Sequence, residues 1–303
     1  MIPAAYPDLA SLVQAQLAIF PEHESYLSTR FRNAAPRDLA FANELAAMIK
    51  TIAGQHLSHF CADYRWLAEV IIEEEIFFRR EGRYRLSTFA EADAQVYSNE
   101  PYMRRYVNGI LLSQLWWANH TSVMQYFRDT YLPGLPAGAR HLEIGPGHGL
   151  YLYMAAREPR LASVAGWDVS PASIAVTTAT FKALGYPGRI DLALVNLFDA
   201  PGGQFDSITL SEVLEHVEEP DQALRAIARL LAPGGRAFIN VPVNSPAPDH
   251  IILFRTPEAV FDTIREAGFD IEATHLAPIS GATLERARKL ALTISATAIA
   301  RKR

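Results

Sequence analysis

The chain has 303 residues, of which half are hydrophobic and a fifth are charged. This composition is that of a folded protein, and the length is sufficient for two domains. The net charge is −5, with −3 over residues 1–132 and −2 over residues 133–303, which argues against a nucleic-acid partner. No apolar run long enough to span a bilayer and no signal-peptide pattern occurs, so we expect a cytoplasmic protein that does not bind a membrane.

The chain contains one cysteine, Cys61, which rules out an internal disulfide and favours a reducing compartment. His56 and His59 precede it and raise the alternative of a metal site. A lone cysteine on an apolar helix is more often a small core residue. We therefore predict no metal at this position.

Residues 8–131 mostly have the apolar spacing of helices. The pattern predicts helices near 8–20, 38–52, 57–76 and 100–131, the last one rich in aromatic residues. After the polar residues 79–83, the segment 84–87 instead predicts a tight turn into a short strand. A Pro-Gly-rich segment, 133–138, interrupts the chain, and we place a domain boundary between residues 132 and 133.

From residue 140 onward, apolar strands alternate with helical stretches, which predicts a doubly wound α/β sheet. The predicted strands are 140–144, 163–168, 190–196, 205–211, 235–241, 269–276 and 292–300. The predicted helices are 149–157, 171–184, 221–231 and 257–267.

A glycine-rich loop follows the first of these strands, in residues 141–149. Gly145, Gly147 and Gly149 suit a tight turn, a close approach of the backbone to a ligand, and the packing of a helix on the strand. An acid, Glu143, stands two residues before the first glycine. The spacing differs from the Gly-x-Gly-x-x-Gly of dinucleotide sites and argues against an NAD-dependent dehydrogenase.

Polar residues also follow the next predicted strands. Asp168 ends the second strand, 23 residues after Gly145, where a carboxylate can accept hydrogen bonds from two ribose hydroxyls. The alternative, a helix N-cap, suits Ser170 better because Pro171 follows it. Further along lie the segments 194–199, 205–217 and 231–236, the last of which carries a Leu-x-Pro-Gly-Gly turn.

In this order, the five segments resemble the motifs of class I S-adenosylmethionine (SAM) dependent methyltransferases of the small-molecule type. The resemblance is specific over residues 140–241. It implies a Rossmann-like, seven-stranded doubly wound sheet with an antiparallel last strand, and SAM as the cofactor. The cofactor-binding residues that it implies are Glu143, Gly145, Gly147, Gly149, Asp168, Val169, Asn196, Leu197 and Ser211.

One position departs from the family pattern. The family usually has an acid at the position of Asn196, where it meets the adenine amino group. The amide oxygen of Asn196 can still accept a hydrogen bond there. Asp199 is the alternative acceptor, or an exposed acid in a turn.

The N-terminal segment 84–87 is similar to the wing of the winged-helix domain that precedes the catalytic domain in many natural-product O-methyltransferases. This similarity implies that residues 1–132 form a helical lid and dimerisation domain, and that residues 133–303 form the catalytic domain. A homodimer through the N-terminal domain is the resulting expectation.

Candidates for the chemistry lie after strand ends and in the helical lid. His250 is a candidate general base, with a surface or loop-pinning histidine as the alternative. Tyr151 could stabilise a sulfonium by a cation–π contact, or it could simply pack on its helix. Glu212 follows the fourth strand and could share a helical face with His216 as a metal ligand. No third ligand is spaced nearby, so we predict no metal. The candidate substrate residues are Asn244, Ser245, His120, Trp116 and Tyr97.

The leading functional hypothesis is methyl transfer to the oxygen, nitrogen or carbon of a small metabolite, with S-adenosylhomocysteine as product. Few lysines beside many arginines and alanines suggest bacterial specialised metabolism. A second hypothesis is a SAM-using enzyme of the same fold that attacks the aminocarboxypropyl chain or cyclises SAM, and releases methylthioadenosine. A third is a SAM-binding regulator without enzymatic activity.

Overall fold

A seven-stranded mixed sheet organises the second half of the computed structural model, which describes residues 2–200 and 204–303. The spatial order is β3-β2-β1-β4-β5-β7-β6. Strands β1 to β5 are parallel, whereas β7 runs antiparallel to both β5 and β6. The prediction of a doubly wound, Rossmann-like sheet with an antiparallel last strand is confirmed. The strands are β1 (Ala139–Ile144), β2 (Leu161–Asp168), β3 (Asp191–Leu194), β4 (Phe205–Ser211), β5 (Leu231–Val243), β6 (Phe269–Pro278) and β7 (Ile294–Lys302).

Helices cover both faces of this sheet because successive strand residues point to opposite sides. Along β5, Ile239 packs into the cluster beneath α10 and α11, whereas Phe238 packs into the cluster that contains α8 and helices of the N-terminal half. The helix α12 was not predicted from the sequence. The helices of this half are α8 (Leu150–Ala156), α9 (Pro171–Ala183), α10 (Pro220–Leu230), α11 (Pro257–Glu266) and α12 (Leu284–Leu290).

The N-terminal half is helical and shares a hydrophobic core with the sheet. A single buried cluster runs from Leu9 through Trp116 to Phe238 and Ile299. None of the described helices combines the length and the apolar character needed to cross a bilayer. The helices are α1 (Pro7–Ile19), α2 (Glu24–Phe31), α3 (Pro36–Ala53), α4 (Leu57–Glu81), α5 (Phe89–Ala92), α6 (Glu100–Trp116) and α7 (Ala118–Tyr126).

The strand predicted at 84–87 does not form, so the wing-like hairpin is wrong. Helix α4 continues to Glu81 and ends at Gly82, whose φ of 69° lies in the left-handed region. The following residues are irregular. Tyr84 and Leu86 are buried, and the Tyr84 hydroxyl accepts a hydrogen bond from the Ser245 backbone N–H at 2.9 Å. This segment therefore braces the loop after β5.

The single helix predicted for 100–131 is broken at Trp117, which has the extended backbone angles φ −91° and ψ 121°. The break frees backbone carbonyls at the end of α6. The Thr121 hydroxyl donates to that of Gln114 at 2.7 Å and lies 3.2 Å from that of Leu115. A side chain thus replaces the missing helical hydrogen bonds, which spacing of apolar residues does not reveal.

Helices α4 and α6 cross closely at Gly109. A Cβ added there would lie 2.8 Å from Leu67 Cβ and 3.2 Å from the Asp63 carbonyl oxygen, both on α4. We expect Gly109→Ala to lower the free energy of unfolding by about 1–3 kcal/mol, because overpacking outweighs the better helix propensity of alanine. Urea denaturation measures this. Gly134→Ala is the matched control, since a Cβ there meets nothing within 4 Å; equal effects of both changes would contradict the prediction.

Candidate active site

A cavity of about 720 Å³ lies at the carboxyl ends of the parallel strands. Its volume is in the range of small-molecule sites, and its place is where open α/β sheets bind ligands. Loops after β1, β2, β3, β4 and β5 form one side, and α6 closes the other. The side chains from α6 are Met103, Tyr106, Val107, Ile110 and Gln114.

The glycine loop after β1 forms the floor of this cavity. Gly145 and Gly147 line it, with φ angles of 69° and 51° that favour glycine. Hydroxyls from α9 hold the loop: Thr177 donates to the Gly147 carbonyl at 3.0 Å, and Thr180 donates to the next carbonyl at 2.9 Å. Gly149 does not line the cavity; a Cβ there would lie 3.2 Å from Thr177 Cγ2. Its predicted contact with cofactor is thereby corrected to close packing of the loop on α9.

Glu143 is a buried carboxylate with an unsatisfied oxygen beside the glycine loop. It lines the cavity and is 3% exposed, and its Oε2 atom has no hydrogen-bond partner among the residues that the structure describes. Burial, and then the negative charge of Asp168, raise the pKa of Glu143 well above its usual value. A cationic group of a ligand would satisfy the oxygen and favour the ionised carboxylate.

Asp168 lies at the end of β2, on the cavity wall, as predicted. One carboxylate oxygen accepts the Ser170 N–H at 2.8 Å, and the other accepts the Ser173 hydroxyl. A carboxylate has about four acceptor sites, so capacity for two ribose hydroxyls remains. Ser170, not Asp168, caps α9, because its hydroxyl accepts the Ser173 N–H.

Apolar side chains surround the outer part of the cavity beside Asn196. Val169, Leu194 and Phe198 line it and are 54%, 58% and 43% exposed, which suits the faces of a flat heteroaromatic ring. The Asn196 Oδ1 atom already accepts the Phe198 N–H at 3.0 Å, leaving a second lone pair and the amide N–H groups. Leu197 also lines this part, whereas Asp199 is exposed and lies outside the lining.

At the inner end, Ser211, Glu212 and Tyr151 line the cavity. Glu212 has a φ of 55°, and its carboxylate accepts the Asn240 side-chain N–H at 2.7 Å. Burial raises the pKa values of Glu212 and Tyr151. The chain forms a turn here, so the helical face that Glu212 and His216 could have shared as metal ligands does not form.

A hydrogen-bonded network that the sequence did not reveal connects two tyrosines of the N-terminal half to the loop after β5. Asp249 accepts the Tyr106 hydroxyl at 2.7 Å and the Tyr97 hydroxyl at 3.2 Å. The His216 Nδ1 atom lies 3.0 Å from the Asp249 carbonyl oxygen. Tyr97 was predicted and does line the cavity; Tyr106, Asp249 and His216 line it too. The one feature of the sequence that could have pointed to Asp249 is that it directly precedes His250, a predicted site residue.

His250 lines the cavity and is 6% exposed. Its Nδ1 atom donates to the Ser245 carbonyl oxygen at 2.6 Å. Burial lowers the pKa of His250 to about 4. Asn244 and Ser245 lie outside the lining, which corrects their prediction as substrate contacts. The Asn244 side chain donates to the Arg255 carbonyl at 2.9 Å and thus fixes the loop.

His120 and Trp116, the two substrate residues predicted from the aromatic-rich stretch 100–131, have different locations. His120 lines the cavity, and its Nδ1 atom lies 3.1 Å from the Ser113 hydroxyl and 3.2 Å from the Gln114 amide nitrogen. Trp116 is fully buried in the core outside the cavity, where its indole N–H donates to Gln16 at 3.2 Å. Its predicted role in substrate binding is therefore corrected to a structural one.

The chain is similar in sequence to known methyltransferases. Residues 116–291, more than half of the chain, match the family described as methyltransferase domain. Over 115 residues the chain is 36% identical to a ubiquinone biosynthesis O-methyltransferase of Xanthomonas axonopodis pv. citri (strain 306). This match covers 37% of the chain and 46% of that relative, so the chain spans less than half the length of the relative.

Two solved structures are similar to 61% and 60% of the chain. A SAM-dependent methyltransferase from Mesorhizobium loti is 19% identical, with 98% of its chain covered and a TM-score of 0.46. The cyclopropane synthase MmaA2 from Mycobacterium tuberculosis is 14% identical, with 84% covered and a TM-score of 0.47. On the match of the family to more than half of its length, the chain belongs to the methyltransferase domain family, within the class I SAM-dependent methyltransferases.

Proposed function

We propose that the protein transfers the methyl group of SAM to a small metabolite in a biosynthetic pathway. The observation that carries this proposal is the cavity itself, which places the glycine loop and Asp168 opposite the apolar face of α6. The relatives named as ubiquinone biosynthesis O-methyltransferases support a small-molecule acceptor with an oxygen nucleophile. SAM, when bound, supplies a methyl group that its sulfonium makes electrophilic.

The charges of the cavity suit this cationic cofactor. Its described lining residues contain no lysine or arginine. They do contain six acids: Glu143, Asp168, Glu212, Glu218, Glu219 and Asp249. Such a wall attracts a cation and repels phosphorylated or carboxylated acceptors.

Each part of the wall matches one part of SAM. The Gly145–Gly147 backbone would hold the methionine end, and the unsatisfied Glu143 carboxylate would accept from its α-ammonium group. Asp168 would accept from the ribose hydroxyls, and Asn196 with its apolar neighbours would hold the adenine. Bound in this way, SAM would have its methyl group within the part of the cavity that α6 covers.

The acceptor would bind beneath α6. Met103, Val107 and Ile110 form an apolar surface there, and Gln114 and His120 add a few polar atoms. This combination favours a largely apolar acceptor that is oriented by a small number of hydrogen bonds. The role of the chain is to align the acceptor with the methyl group and to exclude water.

The product distinguishes methyl transfer from other SAM chemistry. We expect S-adenosylhomocysteine to accumulate when the protein is incubated with SAM and a panel of phenolic, alcoholic and amine metabolites, and SAM alone to stay intact. Chromatography with mass detection measures both. Methylthioadenosine formed without an acceptor would overturn the proposal in favour of attack on the aminocarboxypropyl chain.

Asp168→Ala tests the ribose contact. Because this carboxylate would bind a part common to all adenosyl ligands, we expect the affinities for S-adenosylhomocysteine and for methylthioadenosine to fall at least tenfold, about 1.4 kcal/mol. Calorimetry measures the affinities, and a thermal melt checks folding. Asp199→Ala, an exposed acid outside the lining, is the control and should bind like wild type.

Glu143→Gln tests the contact with the amino-acid end. Methylthioadenosine lacks that end, so its affinity should be unchanged, whereas the affinity for S-adenosylhomocysteine should fall by about tenfold with the loss of a charge-assisted hydrogen bond. The same calorimetric series measures both ligands. An equal loss for both ligands would show that Glu143 does not contact the amino-acid end.

A further inference from the structure

Glu215 is a buried carboxylate whose two oxygens lack hydrogen-bond partners among the described residues. It is 0% exposed and lies directly behind the cavity wall. Its Oε1 atom is 3.7 Å from His216 Nε2 and 3.9 Å from His250 Nε2. These three ligand atoms all lie within 4.8 Å of one another. A buried carboxylate in this state is costly unless a cation or proton compensates it.

The two imidazoles have their Nε2 atoms turned toward Glu215. The Nδ1 atom of His250 lies 2.6 Å from the Ser245 carbonyl oxygen, and that of His216 lies 3.0 Å from the Asp249 carbonyl oxygen. A carbonyl oxygen only accepts, so the His250 Nδ1 atom carries the proton and its Nε2 atom keeps its lone pair. The His216 Nδ1 atom also lies 3.0 Å from the Tyr97 hydroxyl, and that hydroxyl donates to Asp249, so a proton on His216 Nδ1 is consistent with both contacts. Metal-binding histidines are oriented by the same kind of hydrogen bond.

The backbone fixes the third ligand as well. The N–H groups of Ile251 and Ile252 both donate to the Glu215 carbonyl oxygen, at 2.9 and 3.0 Å. They attach the loop that carries His250 to the turn that carries Glu215 and His216. The group is therefore assembled before any ligand arrives, although His250 is distant in sequence.

The distances fit a shared ion better than direct hydrogen bonds. Separations of 3.7 and 3.9 Å are too long for hydrogen bonds. Ligand atoms that each lie about 2.0–2.1 Å from a tetrahedral zinc ion are roughly 3.3 Å apart, so a small inward movement completes such a site. Two imidazoles and one carboxylate are also a donor set that zinc and similar divalent metals prefer.

Two further acidic residues lie beside this group. The Asp249 Oδ2 atom is 3.6 Å from His216 Nδ1, and Glu212 stands three residues before Glu215 in the chain. In the described part of the chain, the ion pairs recorded for Glu215 and Asp249 are with histidine alone. Glu212 instead accepts from the Asn240 amide. A divalent cation would offset this excess of negative charge.

We propose that Glu215, His216 and His250 bind a divalent transition-metal ion, of which Zn²⁺ fits the donors best, and that the ion's open position takes an oxygen of the acceptor. His216 and His250 line the cavity and Glu215 lies behind them, so the free coordination position faces the cavity. An oxygen bound there would have its pKa lowered. The oxygen ligand rests on the proposed function, whereas the metal site does not.

Metal binding by the full chain tests the site directly. After treatment with EDTA, wild type should bind a single equivalent of Zn²⁺ by calorimetry, and Co²⁺ should give the absorption bands of a four- or five-coordinate ion. Glu215→Gln and His250→Ala should each weaken binding by roughly 100-fold or more. His56→Ala, which removes an exposed histidine of the N-terminal half, is the control and should bind like wild type. Thermal melts establish that each variant is folded.

Azide added to the Co²⁺ form tests the open position, and its binding should shift the absorption bands. No metal binding by folded wild type overturns the proposal, as does binding that neither Glu215→Gln nor His250→Ala weakens. Unshifted bands with azide overturn the oxygen position alone. SAM affinity is measured in parallel: SAM binding without metal binding leaves the proposed function intact, and metal binding without SAM binding rejects that function but keeps the site.

Discussion

Buried carboxylates without cationic partners are the constraint on which this site depends. Glu143 and Glu215 have unsatisfied oxygens and are almost fully buried. The ionised form of such a carboxyl group costs several kcal/mol away from water, and burial therefore raises its pKa. Binding a cation to these carboxylates would return that free energy, so ligand binding and stability are coupled. The cofactor would supply the cationic group for Glu143 beside the glycine loop, and a metal ion would supply it for Glu215 in the turn after β4.

The constraint also gives meaning to the cover that α6 forms over one side of the cavity. Electrostatic attraction strengthens as water is excluded, and α6 supplies the apolar cover that excludes it. The same helix contributes Tyr106, whose hydroxyl donates a hydrogen bond to the Asp249 carboxylate. The N-terminal helices therefore complete the site chemically as well as sterically.

Sequence patterns predicted the parts of the fold that are set by local rules. Strand β4 was predicted to the residue, and the motifs located Asp168 on the cavity wall. Contacts between distant segments were not predictable. Asp249 and Tyr106 are 143 residues apart, and no spacing rule connects them. Trp116 and His120 lie on one aromatic stretch, and only packing decides which faces the core.

The loop after β5 shows why some residues were assigned to the wrong role. Its prolines and polar side chains suggested substrate contacts. Instead, the Asn244 side chain donates to the Arg255 carbonyl, and the Ser245 backbone N–H donates to the Tyr84 hydroxyl. Those bonds hold the backbone so that the next residues, Asp249 and His250, face the cavity. Because Tyr84 belongs to the N-terminal half, the position of His250 depends on the docking of that half onto the sheet. Contacts from the N-terminal half thus help to hold the inner wall of the cavity.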